Sequence, residues 1–466
     1  MAKKRKNMEK KEHKRPPRSL KIIQREAAGI DLGSREHWVA GPPREDGAPN
    51  VQRFGTTTPE LIRLADWLTT QGVVTVAMES TGVYWIPLYE ILDGRGFEVV
   101  LANARQIHNV PGRKSDMIDC QWLQLLHACG LLRGSFRPSD EICRLRALIR
   151  ERNTMVAQRA DWVRRMQKYL DQMNVCVHQA VSDITGVTGM AIIRAIVAGE
   201  RDPHALARLR DRRCRKSETQ IAEQLTGNWR PEHLFNLGQA LKMYDQLCRV
   251  IEDYDSEILG YLKKLQPADT SNTSAPTPAS KAKAKNLASR GQEPMRQALY
   301  GLCGADLTTL DGIGVDTAAV VVSELGVDFT AFPNENNFVS YLRLAPNLSV
   351  SAGKKVAKKF KSSTCTRVAT ALRMAALTLR NSKTALGAFY RRVAWRKGAS
   401  VAVFATARKL AQLIYRLLRY GQAYVDTGVE AYEARFNQRR IKFYTKALNA
   451  MGYNVEPLQT KEVILA

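Results

Sequence analysis

Four carboxylates stand where apolar sequence gives way. Asp31 follows Ala27-Ala28-Gly29-Ile30, and Glu79 follows Val73-Val74-Thr75-Val76-Ala77-Met78. Asp116 and Asp119 are three apart in Arg113-Lys114-Ser115-Asp116-Met117-Ile118-Asp119. A carboxylate at the end of a buried strand is costly unless something positive meets it. Singly, each has an ordinary explanation. An Asp after a strand is usually a turn former or a helix cap, and an Asp-x-x-Asp on a helix usually faces solvent. As a set, in this order, they are satisfied by two divalent metals roughly 4 Å apart clamping a phosphodiester.

Local pattern supplies the scaffold for such a site. Residues 27–40 read as a strand, a tight turn at Gly33-Ser34 and a second strand, His37-Trp38-Val39-Ala40. Val51 to Thr57 returns as a third. Leu61, Leu64, Ala65 and Leu68 are at helical spacing within 59–71. A strand at 73–78, a helix near 84–94 and a strand at 97–101 follow. Three antiparallel strands followed by alternating helices and strands make the ribonuclease-H-like plan. Asp31 and Glu79 then end adjacent central strands. Asp116 and Asp119 share one helix face, and Ile118, Trp122, Leu125 and Leu126 carry that helix into a core.

The chain has 466 residues, with Lys+Arg 71 against Asp+Glu 45, a formal charge of +26. That length suggests two to four domains, and the excess charge favours a polyanion such as nucleic acid. No apolar run reaches the ~20 residues of a membrane span, and no secretory signal is expected at the basic N-terminus. The 8 Cys include no Cys-x-x-Cys pair, so a zinc site is not expected, and they fit a reducing cytoplasm.

The chain divides into a basic tail (1–25), an α/β domain (26–138) and a helical stretch (139–266). In that stretch Leu145, Leu148, Ile149, Met155, Val156, Trp162 and Val163 form a long stripe, and Leu237 to Leu265 supplies an antiparallel partner. A coiled-coil arm is expected there, with an intramolecular bundle as the competing reading. Residues 267–292, rich in Pro, Ser, Thr, Ala and Lys, read as a flexible linker. A mainly helical domain (293–426) and a C-terminal helical tail (427–466) complete the expected α/β-plus-α architecture. Within the former, Leu310-Asp311-Gly312-Ile313-Gly314 resembles a helix-hairpin-helix, whose amides face a DNA phosphate. A plain helix turn is the alternative.

No Asp or Glu occurs between Glu335 and Asp426, a stretch that includes Lys354, Lys355, Lys358, Lys359, Lys361, Arg367, Arg373, Arg391, Arg392, Arg396, Lys397, Arg408 and Arg416. Tyr390, Trp395 and Phe404 are interleaved with these. Such a segment has few internal partners, and a phosphate backbone is its simplest counterion. Inside it, Leu348-Ser349-Val350-Ser351-Ala352-Gly353-Lys354-Lys355 reads as a small polar loop between helices that exposes a hydroxyl beside lysines. A loop serine alone does not define a nucleophile.

These pieces together resemble the DEDD-type insertion-sequence transposases related to the pilin-gene invertase Piv, the family numbered one-ten with its eleven-eleven branch. The matching residues are Gly29-Ile30-Asp31-Leu32-Gly33, Met78-Glu79-Ser80-Thr81-Gly82-Val83-Tyr84-Trp85 and Lys114 to Asp119. In the second half they are Gly312-Ile313-Gly314, Leu344-Ala345-Pro346, Ser351-Ala352-Gly353-Lys354 and Arg367. The resemblance spans about residues 26–425. It implies a RuvC-like domain joined by a coiled-coil arm to a transposase domain, with Mg²⁺ held by Asp31, Glu79, Asp116 and Asp119. It also implies a serine that links transiently to DNA, Ser351 aligning best and Ser349 next. Donor and target DNA, a noncoding bridge RNA pairing with both, and homodimers assembling into homotetramers are the implied partners. Two departures bear on the serine: Arg343 stands where the family often has Gly, and Lys361-Ser362-Ser363 where it often has a Lys-x-Gly turn. The alternative function is a RuvC-type structure-specific endonuclease, which cuts branched DNA by water attack and needs the carboxylates but not Ser351.

Overall fold

The computed structural model describes residues 21–44, 50–80, 82–102, 116–267, 274–278, 281–345, 348–351, 354–357 and 366–421, with 434, 437–439 and 441–454 near the C-terminus. Of 116–118, 282, 348–351 and 354–357 only the backbone is described. The chain forms two compact units, Met1–Arg137 and Pro138–Ala466.

The first unit is built on a five-stranded sheet. Strands β1 (Ala27–Leu32), β2 (Glu36–Ala40) and β3 (Val51–Gly55) form an antiparallel meander. Helix α1 (Thr58–Thr70) returns the chain to β4 (Thr75–Glu79), which pairs with β1 in parallel. Helix α2 (Trp85–Gly94) then leads to β5 (Glu98–Ala102), parallel to β4, for a strand order β3-β2-β1-β4-β5. Every one of these elements starts and ends within two residues of its expected limits. One sheet face buries Ala28, Ile30, Val76 and Met78 against Leu61, Leu64 and Leu68 of α1 and Leu88 and Leu92 of α2. On the opposite face Ala77 and Ala102 meet Leu123 of α3 (Asp116–Ala128). This mixed sheet, with helices on both faces, is consistent with the ribonuclease-H-like plan.

In the second unit α4 (Asp140–Gln172) pairs along its length with a later helix. The chain first turns through α5 (Val177–Ala180), α6 (Val187–Ala198), α7 (Pro203–Arg208) and α8 (Glu218–Leu225) before that helix, α9 (Pro231–Leu265), begins. The Tyr261 hydroxyl donates to the Glu141 carbonyl at 3.1 Å, and Arg152 pairs with Asp255 at 2.9 Å. Contacts that advance along α4 retreat along α9, so the pair is antiparallel and its apolar faces meet within one chain. The four short helices form a cap with its own core, in which Ile192, Ile193, Leu206, Ile221 and Leu225 close over Met166, Leu170 and Leu237. That cap was not foreseen within the arm.

The expected linker is partly built into the fold. It contains α10 (Lys281–Ser289), which buries Leu287, and the Lys283 ammonium donates to the Thr308 carbonyl. The buried Arg296 guanidinium explains why. On α11 (Glu293–Cys303) it donates to Asp306 Oδ2 (2.6 Å) and to the Pro276 carbonyl, so the chain around Pro276 folds back to satisfy it. Next come α12 (Val315–Leu325), α13 (Glu335–Tyr341) and a hairpin of β6 (Leu348–Ser351) and β7 (Lys354–Ala357). Helices α14 (Arg367–Thr378), α15 (Ala385–Lys397) and α16 (Ala399–Tyr420) follow. Phe329, Phe332, Phe338 and Tyr415 cluster edge to face in their core. Arg150 and Arg146 of α4 bind Glu324 of α12, at 2.7 and 3.6 Å, so the arm packs with these helices in one unit.

Candidate functional site

The carboxylate edge is set by strand parity. Ala28 and Ile30 point into the core under α1 and α2, so Gly29 and Asp31 lie on the α3 side of β1. In β4, Val76 and Met78 take the core side, which leaves Thr75, Ala77 and Glu79 facing α3. Ile30 pairs with Met78, so the parallel register carries Asp31 beside Glu79, on strands about 4.8 Å apart. Both acids therefore leave the sheet at the same edge and on the same face.

Helix α3 meets them there because the sheet is shaved to glycine beneath it. A Cβ added at Gly29 would lie 2.3 Å from the Gln124 nitrogen and 2.5 Å from the Cys120 carbonyl oxygen. Gln124 also donates to the Ala27 carbonyl at 3.2 Å, and His127 meets Thr75 Oγ1 at 2.8 Å. The helix thus runs antiparallel to β1, with its N-terminal turn at the Asp31 end. The Cys120 thiol is pushed up to about 12, first by burial, then by the negative charge of Asp31 and, more weakly, of Asp119. Both acids thus act on the same spot. Asp116 is the first residue of α3, and its side chain lies outside the described residues.

Among the described residues no three carboxylate, thiol or imidazole groups are drawn together tightly enough to hold a metal. The donors are nonetheless chemically suited to one. Asp31, Glu79 and Asp119 offer only carboxylate oxygen, which matches a hard divalent cation such as Mg²⁺. The Cys120 thiol beside them is held protonated.

The serine region differs from its expected form. Instead of a loop between helices, Leu348–Ser351 and Lys354–Ala357 pair as an antiparallel hairpin, with Ser351 opposite Lys354 and Ser349 opposite Val356. Alternating Leu348, Val350 and Val356, two of them β-branched, favour strands there. The turn residues Ala352 and Gly353 lie outside the described residues, as do Lys358, Lys359 and Lys361. Lys355 follows Lys354 in β7. Arg367 opens α14 and is 3.9 Å from Glu324. Arg343 takes φ 57°, a left-handed conformation that explains a preference for Gly there.

The carboxylate-free segment is less bare of internal partners than expected. Arg416 binds Glu335, just outside the segment, at 2.6 Å. Arg391 donates to the Arg380 carbonyl at 3.0 Å. Arg373 sits over Phe404, and Arg392 and Lys409 sit over Phe389. Tyr390 is buried, whereas Trp395 is 89% exposed beside exposed Arg396 and Lys397. At the glycine turn, Gly312 has φ 81° and Ile313 is buried, and a 3-10 turn at Leu307–Thr309 separates α11 from it. The N-terminal turn of α12 carries Asp316, bound by Arg152 (3.2 Å) and Gln292 (3.0 Å).

Among the described residues no helix is long and apolar enough to cross a membrane. No curated protein matches the chain. Two family models do. The DEDD transposase model of the IS110 type matches residues 28–175, which take in the whole carboxylate edge. The model described as "Transposase IS116/IS110/IS902 family" matches residues 304–391, from just before the glycine turn through the serine hairpin into α15. The two matches take in just over half of the chain, and a DEDD nuclease-like domain implies dependence on a divalent metal. With both regions matched in order, the chain belongs to the IS110 family of DEDD transposases, enzymes that cut and rejoin DNA.

Proposed function

We propose that this transposase recombines an insertion sequence by serine attack at a Mg²⁺ site made of Asp31, Glu79, Asp116 and Asp119. The observation that carries the reading is the shared register of Asp31 and Glu79 under the N-terminal turn of α3. Mg²⁺ held there would stabilise charge on the attacking and leaving oxygens. The Ser351 hydroxyl gives up its proton and its oxygen bonds to phosphorus. One ester bond to deoxyribose breaks, and that sugar oxygen leaves as a hydroxyl after taking up a proton. The number of phosphoester bonds is unchanged, so a second DNA hydroxyl reverses the step without external energy. Lys354, opposite Ser351 in the hairpin, supplies positive charge beside the reacting phosphate, and Lys355 adds to the surrounding basic field.

Lys358, Lys359, Lys361 and Arg367 hold the DNA backbone in this reading, and the glycine turn at 312–314 gives a further phosphate contact. A bridge RNA pairing with donor and target would supply sequence choice, and homodimers assembling into homotetramers would bring two DNA sites together. The resemblance to the family, rather than any measured contact, supports these partners.

The experiment is a suicide substrate that traps the covalent intermediate, followed by digestion and mapping of the DNA-linked peptide. An adduct on Ser351 is expected, and one on Ser349 shifts the assignment by two residues. Free DNA ends with no serine adduct would point to water attack. Asp116→Asn and Asp119→Asn should each abolish strand exchange while DNA binding persists. Near-normal exchange by either would sink the shared metal site.

A further inference from the structure

We infer that the helical cap at the end of the arm is a second binding site for DNA backbone, built from residues other than those proposed to react. The cap lies in the stretch that neither family match covers. Its loop between α7 and α8 continues a basic run that begins in α7: Arg208, Arg210, Arg212, Arg213, Arg215 and Lys216 stand within nine residues against one acid, Asp211. The loop walls an open cavity of about 680 Å³, lined by Arg213, Arg215 and Lys216 on one side and by His178, Ser182 and Thr188 on the other.

The loop is held in shape by contacts that leave its charge outward. The Asp211 amide donates to Thr188 Oγ1 at 2.9 Å, Thr188 meets Cys214 Sγ at 3.4 Å, and Lys216 donates to the Gln179 carbonyl. Ser217 and Gln220 cap α8 reciprocally. The acids nearby are already engaged. Asp211 pairs with Arg213 at 2.8 Å, and Asp183 accepts from Thr185. Arg212 and Arg215 are exposed and, among the described residues, form no ion pair. The Arg215 guanidinium and the Ser182 hydroxyl line the cavity, and the Arg212 guanidinium lies on the same loop just outside that lining, while His178 pairs with Asp171 at 3.2 Å. Two guanidinium forks on one exposed loop grip phosphate oxygens without reading bases. DNA is the polyanion this enzyme handles, so duplex backbone is the occupant to which the cavity is assigned. The choice of occupant rests on family membership, and the assignment is independent of which serine attacks.

The test uses the full chain and the double variant Arg212→Gln, Arg215→Gln. Fluorescence anisotropy would follow binding of a long duplex, and of a structured RNA of equal length, over a range of KCl concentrations. Both arginines are on the surface, so the fold survives, and circular dichroism checks it. Loss of two phosphate contacts should lower the log–log salt slope on duplex DNA by about 1.8, with cleavage at saturating protein unchanged. An unchanged DNA slope overturns the proposal. A change confined to RNA overturns it equally, moving the site to a different ligand.

Discussion

Helix α3 crosses β1 backbone to backbone at Gly29, and one added methyl tests what that contact does. In Gly29→Ala the new Cβ would meet the Gln124 nitrogen at 2.3 Å, the Cys120 carbonyl oxygen at 2.5 Å and the Gln124 Cα at 2.8 Å. None of these atoms belongs to a flexible side chain, so the helix itself must move. Restoring ordinary contact at 3.4 Å or more requires α3 to lift by about 1 Å. Overpacking of this kind costs about 1–3 kcal/mol, or a fall of roughly 3–10 °C in the transition of a unit this size. The functional loss should be larger than the structural one. Asp119 rides on α3 while Asp31 and Glu79 stay with the sheet, and a misplacement of about 1 Å is worth about 100-fold in rate. The assay is Mg²⁺-dependent strand cleavage beside thermal unfolding followed by circular dichroism. Gly134→Ala is the control, because a Cβ there meets only Val100 Cγ1, at 3.7 Å. Cleavage by Gly29→Ala within a factor of three of wild type would refute the claim that this contact sets the spacing of the acids.

Neutralising Lys354, Lys358 and Lys359 together should flatten the salt dependence of DNA binding, and an unchanged slope would remove the segment's assigned role. Arg343→Gly relieves a left-handed arginine and should stabilise the second unit by roughly 0.5–1 kcal/mol, read as a raised urea midpoint. Burial lowers the pKa of both His127 and His37 from 6.5, so each is neutral when folded and takes up a proton on unfolding. The first unit should therefore hold full stability above pH 6.5 and lose it as the pH falls below that value. In His127→Gln the urea midpoint should change less between pH 7.5 and 5, and an undiminished change would show that other groups set it. Arg296→Met strands Asp306 in the interior and should cost about 3–5 kcal/mol, whereas exchanging both residues for apolar ones should cost clearly less.

The sheet was legible because its strands alternate or run apolar over short spans and each ends in a polar residue. The same alternation places Asp31 and Glu79 on one face. What the sequence concealed was the reason α3 can reach them. Gly29, Ala77 and Ala102 are small in three different strands, and their adjacency appears only once β1, β4 and β5 lie side by side. The cap on the arm was hidden for a related reason. Its helices are short, with α5, α7 and α8 spanning four to eight residues, too few turns for periodicity to stand out. The linker misled through composition. Lys and Ala in 281–289 carry little apolar signal, yet Leu287 and Lys283 find partners around Thr308 and α11. Arg416 escaped notice as a paired residue because its acid, Glu335, is 81 positions away.

Helices α4 and α9, 33 and 35 residues long, fix an angle as well as a distance. An α-helix advances about 1.5 Å and rotates about 100° per residue. One residue added to each helix would lengthen the arm by only ~1.5 Å but swing the basic loop of the cap through about 100°, turning it away from whatever it had faced. Seven residues added to each would restore the facing to within about 20° and carry the cap ~10 Å outward. The arm is therefore a phased spacer. Changes of length that keep the cap useful come in matched steps of seven or eleven residues in both helices, and the tolerated insertions record the direction from which the cap must be approached.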